Sequence, residues 1–295
     1  MGSIEIIEHE KILALPEHLN YDPIKEHQTR NGVTVLDKFW VINPKTDQVI
    51  GDGKSQHKPT NFNTMWDALR EGLHNSSLDL TGVTTKFWGY NSDASFRAEI
   101  ILPHHSFKRE LGEPACLKVK VIDSHDQKFR RMIQAMIMRW DCLNGMQSII
   151  HETAMAQKHT ANSAPEVMGA VASAWPKMLL EEAELMKYLK SVPVNDDNAL
   201  AFYSANLATR KTRTGIEVNK TRLNYIKLIH DSYKMPDDAY KVYNTLTHLS
   251  THIETQREGS CPMTKQLRME TEIQSIIRGD SFKQLARLED FAVAA

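Results

Sequence analysis

The spacing of apolar residues changes near residue 145, and that change limits the fold more than any other feature of the chain. Upstream, short β-rich runs alternate with polar turns. The stretch "GVTVLDKFWVINPKTDQVIGDGK" (32–54) predicts a hairpin, two such runs around Asn43-Pro44-Lys45-Thr46-Asp47. The runs 82–90, 94–103, 115–123 and 128–140 predict antiparallel neighbours; a "SHDQ" turn (124–127) separates the last two. One helix interrupts them at 61–77, where Phe62, Met65, Trp66, Leu69 and Leu73 fall on one face and Asn61 or Asn63 can cap the first turn. Downstream, helical periodicity takes over in 146–160, 166–192 (broken at Trp175-Pro176), 198–208, 220–234, 238–256 and 281–294. The expectation is an α+β fold: an N-terminal twisted antiparallel sheet with a short helix, then a helical C-terminal half. Residues 1–31 read as an N-terminal arm, 32–145 as the sheet domain and 146–295 as the helical region packed on it or appended to it.

A chain of 295 residues can bury a substantial core without disulfides. Its cysteines, Cys116, Cys142 and Cys261, form no CxxC pair, which fits a reducing, cytoplasmic compartment. The N-terminal stretch has acids inside its apolar residues and does not read as a signal peptide. Ile6 stands where a myristoylation motif needs Ser or Thr, and no run approaches a membrane span, so no membrane partner is expected. With 36 basic and 37 acidic residues the net charge is −1, so a polyanionic partner must be met by a local patch.

No phosphate loop, dinucleotide fingerprint or nucleophile elbow is present. Cys142 sits between an apolar run and the turn residues Asn144-Gly145, which suits a small buried side chain better than a nucleophile. His248 and His252 share a helix face at i, i+4, but "HLSTH" lacks the glutamate of a metalloprotease helix and names no third ligand. The expectation is no catalytic residue, no metal and no cofactor.

The basic residues are more informative. Between 108 and 139, eight cations (108, 109, 118, 120, 128, 130, 131, 139) meet four acids (110, 113, 123, 126). Lys118 and Lys120 share one face of their strand; Lys128, Arg130, Arg131 and Arg139 follow across the "SHDQ" turn. A second cluster, with Arg210, Lys211 and Arg213, falls in the polar stretch "ATRKTRTG" (208–215), which reads as a mobile loop. Basic side chains on a strand face and a loop suit a phosphate backbone, and Trp88 and Phe129 are the aromatics placed to stack on unpaired bases.

Several segments carry a resemblance. "MWDALREGLHNS", "NSDASFRAEIIL" and "KVIDSHDQKFRRMIQAMIMRWDCLNGM" resemble the phage/plasmid-like proteins, a family of phages, prophages and conjugative plasmids. The turn Ser124-His125-Asp126 precedes a strand followed by Arg139, Cys142, Asn144, Gly145 and Met146, as in that family; Tyr243-Asn244, Thr247 and His252 resemble its C-terminal helix motif. Trp140-Asp141 departs from the apolar pair usual before the cysteine. The resemblance covers roughly residues 30–290 in order, and its genetic setting implies DNA metabolism. More distantly, the element order is similar to the RecT and Red-beta single-strand annealing proteins, an analogy of topology. These likenesses imply a single-stranded DNA-binding and annealing protein of recombination or replication, needing no nucleotide hydrolysis. It would form a ring or filament in the host cytoplasm and meet host or phage replication proteins. Two alternatives stand beside it: an interaction protein that inhibits a host nuclease or defence factor, and a metal-dependent nucleic-acid enzyme centred on His125, Asp126 and His151.

Overall fold

The computed structural model describes residues 4–8, 12–106, 115–139, 146–149, 155–158, 160, 164, 172, 175–212, 215–251, 262–289 and 291. The fold is α+β, with strands mostly in the first half and helices in the second. The chain divides into two compact units, one built from 1–106, 115–138 and 149–180, the other from 107–114, 139–148 and 181–295.

The first unit holds two sheets. β2 (Ile24–Arg30), β3 (Val33–Asn43) and β4 (Gln48–Lys54) form an antiparallel meander, with Asp47 in the left-handed region at the β3–β4 turn. The larger sheet runs in the order β1 (Ile4–Glu8), β5 (Thr84–Tyr90), β6 (Ser95–Ser106), β7 (Ala115–Ser124), β8 (Arg131–Arg139), β10 (Met155–Gln157). β5 pairs antiparallel with β6, and β6 with β7, which places Phe87, Ala98 and Val121 side by side on one face. Helix α1 (Phe62–His74) covers that face: its five periodic residues, Phe62, Met65, Trp66, Leu69 and Leu73, are fully buried. Phe62 meets Phe96 and Trp66 meets Phe87, with ring centroids 4.7 and 5.0 Å apart. The Asn61 side chain caps the helix by accepting from the Asn63 amide at 2.9 Å. The Trp66 indole donates to the Leu13 carbonyl at 2.9 Å, tying the N-terminal segment to the core.

Three expectations need correction. Residues 1–31 do not stand apart as an arm, since they supply β1 and β2. The stretch 146–160 contains β9 (Met146–Ile149) and β10 where a helix was expected; β10 pairs with β8, Met155 opposite Ile133, and that ladder overrides a weak local period. Within 208–215, where a mobile loop was expected, Thr209–Thr212 form β11, which pairs antiparallel with β12 (Gly215–Val218).

The second unit is helical. Helix α2 (Trp175–Leu189) leads into it and begins at the Trp-Pro step read as a break, because proline is tolerated in a first helical turn. There follow α3 (Asp196–Asn206), α4 (Lys220–Ser232), α5 (Ala239–Thr251), α6 (Pro262–Arg278) and α7 (Asp280–Leu285). Residues 239–247 of α5 are buried on every side, so α5 is the axis of this unit. Phe282 of α7 is buried beside Phe202 of α3, with centroids 6.0 Å apart.

Candidate nucleic-acid interface

The "SHDQ" turn between β7 and β8 is pinned from several sides. His125 stacks on Phe62 at 3.8 Å between centroids, and its carbonyl lies 2.8 Å from His57 Nε2. Asp126 accepts from Asn91 Nδ2 at 2.9 Å and Ser95 Oγ at 3.1 Å. Gln127 holds a left-handed backbone (φ 60°) and donates its side-chain amide to the Asp52 carbonyl at 3.0 Å. β4 comes so close that a Cβ on Gly51 would lie 2.8 Å from the Asp126 Cα. Glycine is required there by proximity.

This anchored turn forms one wall of a cleft of about 300 Å³. Lys54 enters from the end of β4, Arg130 from the end of the turn, and Lys158 from just beyond β10. The β8–β10 ladder ends with Gln157 opposite Arg131, and Lys158 and Arg130 are the residues next to that last pair. All three cations are exposed, and the other lining residues, Gln56, His57, Gln127, Phe129 and Thr160, include no acid. Such a concave, acid-free set of cations gives the cleft a local positive charge. Lys38, exposed and directly opposite Lys54 on β3, extends the positive edge. Trp40 does not, because Glu26 and Asp52 flank it across the strands.

The structure separates the sequence-predicted residues. Arg130 lines the cleft. Phe129 also lines it but is only 7% exposed, and Ser124 Oγ bonds its backbone amide and carbonyl at 3.1 Å, so it supports the wall and offers little ring to a base. Lys128 is exposed and pairs with Asp126 at 3.1 Å. Lys118, Lys120 and Arg131 are not on a solvated face: all three are buried. Lys118 Nζ sits 2.7 Å from Glu99 Oε2, Arg97 bonds the same carboxylate, and Lys120 stands opposite Glu99 in the ladder. Burial pushes the Glu99 carboxyl up, but Lys118 and Arg97 outweigh it and hold it down to about 2. Arg131 Nε bonds Asp123 Oδ2 at 2.8 Å, and its Nη2 donates to Thr60 Oγ1. Trp88 is half-buried under the Arg97 guanidinium, 5.3 Å from ring centroid to carbon. Lys118 and Lys120 are therefore buried beside Glu99, and Arg131 is buried against Asp123, where a solvated phosphate surface was expected.

Arg210 is exposed and pairs with Glu217 across the β11–β12 hairpin at 3.1 Å. Lys211 lies on β11 opposite Ile216. Arg139 ends β8. Arg213, Cys142, His151 and His252 lie outside the described residues. Sequence reasoning missed Lys54, Lys158 and Lys38. Each stands outside the dense basic clusters, and the β4–turn and β8–β10 contacts bring Lys54 and Lys158 together with Arg130.

No family model, no curated protein and no solved structure matches the chain. Its class is the one the architecture defines, an α+β protein with a basic cleft on its sheet unit. Among the described residues, no helix is long and apolar enough to cross a membrane.

Proposed function

We propose that the chain binds single-stranded DNA through its phosphates and promotes annealing during recombination or replication, without nucleotide hydrolysis. The observation that carries this reading is the acid-free cleft in which Lys54, Arg130 and Lys158 converge. A phosphate entering it offsets the like charges of the three lining cations and gains charge-assisted hydrogen bonds, two of them available from one guanidinium. A grip made on phosphates leaves base edges free to pair, which annealing requires. The protein's part is then to neutralise strand repulsion while base pairing drives the exchange. Annealing over long strands calls for copies of the chain in a ring or filament, working in the host cytoplasm with host or phage replication proteins.

The reading is tested with a fluorescent oligonucleotide, single-stranded or in duplex, titrated at two salt concentrations, and with complementary strands whose annealing is timed. The expected result is tighter binding to the single strand, weaker at high salt, and faster annealing with protein present. Absence of salt-dependent binding to either form would reject it. The second reading, an interaction protein, is favoured by Val33, Leu36 and Trp40 on β3, which are 69, 77 and 41% exposed. It predicts that binding to plain DNA is absent.

A further inference from the structure

In the helical unit, Asp196, His230 and Asp237 bring one ligand atom each to within 4.8 Å of one another. Asp196 is the first residue of α3, His230 lies in the last turn of α4, and Asp237 lies between α4 and α5. The two carboxylates are exposed, while the His230 side chain is 3% exposed. The imidazole is fixed from behind. Its Nδ1 lies 2.9 Å from the Tyr203 hydroxyl and 3.2 Å from Thr245 Oγ1. Thr245 commits its own hydrogen to the Lys241 carbonyl at 3.0 Å, so toward the ring it can only accept. The tautomer with the proton on Nδ1 satisfies Thr245 Oγ1 and leaves Nε2 presenting a lone pair. Buried Nε2 stands 3.5 Å from Asp196 Oδ1, longer than an ordinary hydrogen bond.

In that tautomer two lone pairs face each other across 3.5 Å, an arrangement poorly placed as a hydrogen bond and well placed as two ligands of one ion. Ligands about 2.1 Å from a tetrahedral centre stand about 3.4 Å apart. We infer that Asp196, His230 and Asp237 form a divalent transition-metal site with water completing its coordination. One imidazole nitrogen and two carboxylates suit Zn²⁺ and, less tightly, Mn²⁺; Mg²⁺ prefers oxygen ligands throughout. The hydroxyls of Tyr203 and Thr245 orient the ligating ring from its far side, as outer partners do at metal-bound histidines. Lys241 Nζ holds Asp237 Oδ1 at 2.8 Å, leaving that carboxylate its second oxygen for the ion. The ion would fasten the start of α3 to the end of α4 and the connection that follows. This inference stands apart from the DNA-binding reading and uses none of its residues.

Isothermal titration of the full chain with ZnCl₂ tests it, beside Asp196→Asn, Asp237→Asn and His230→Gln. The two aspartates are exposed, so their variants keep the fold even where the histidine variant does not; circular dichroism checks this. The expected result is one Zn²⁺ per chain with a dissociation constant in the micromolar range or below, weakened at least tenfold in each aspartate variant. Zn²⁺ should also raise the melting temperature of the unaltered chain and of neither aspartate variant. Unchanged Zn²⁺ affinity in both folded aspartate variants would overturn the site, as would no binding to the unaltered chain at millimolar Zn²⁺.

Discussion

Glu99 shows how one acid changes the meaning of a basic strand. Lys118 and Lys120 look like a phosphate surface when cations are counted along 108–139, but their partner lies on the neighbouring strand, outside that window. The carboxylate neutralises a buried amine at 2.7 Å, so deleting its charge strands Lys118 in the interior. Glu99→Gln is expected to cost about 3–5 kcal/mol, the range for removing one member of a buried pair. Urea unfolding measures it, and a loss within experimental error would show that Lys118 reaches water.

A second carboxylate gives a pH dependence of opposite sign to the usual acid case. Burial pushes Glu182 up to about 7 from 4.5, against a hydrogen bond from the Tyr243 hydroxyl at 2.9 Å that favours the charged form. Between those values the folded chain keeps a proton that the unfolded chain has released. Glu182 therefore makes stability fall as pH rises from 4.5 to about 7, with no further loss above that. Glu182→Gln should remove this component of the slope in urea midpoints taken across the range. An identical pH profile in the variant would contradict the assignment.

At the scale of elements, sequence and structure agree where one face of an element is apolar and its ends carry turn chemistry. Helix α1 was legible from Phe62, Met65, Trp66, Leu69, Leu73 and the Asn61 cap, and the β3–β4 hairpin from Asn43-Pro44 and the residues after it. β2, "IKEHQTR", has one apolar residue in seven, and its strand character comes from pairing with β3. β9 and β10 are short and lie in a stretch whose Met and Ile spacing mimics a helix. Helix α6 was missed although its signals are present: Pro262 at its first position and Gly279 just past its end. The cleft was half legible. Arg130 belongs to a visible cluster, but Lys54 and Lys158 join it only through contacts distant in sequence. Gly51 tests the element that builds this wall. With a Cβ 2.8 Å from Asp126 Cα, Gly51→Ala must displace β4 or the turn, costing about 1–3 kcal/mol. The melting temperature should fall and oligonucleotide affinity with it; a variant with unaltered stability and affinity would show that the wall tolerates the shift.

Over the whole molecule, a net charge of −1 means that no global field gathers DNA, so binding must come from local cation sets. The structure distinguishes two. One, Lys118, Lys120 and Arg131, is buried, with Glu99 holding Lys118 and Asp123 holding Arg131. The other, Lys54, Arg130 and Lys158, is exposed around a cleft with no acid in its lining. The most direct measurement is the dependence of single-strand affinity on salt, plotted as log K against log salt concentration. For the combined variant Lys54→Ala, Arg130→Ala, Lys158→Ala, the slope should shrink by about 2, from about 0.7 per lost phosphate contact. Lys118→Met, which removes a buried charge, should leave the slope unchanged. A triple variant with the slope of the unaltered chain would show that the cleft does not hold DNA.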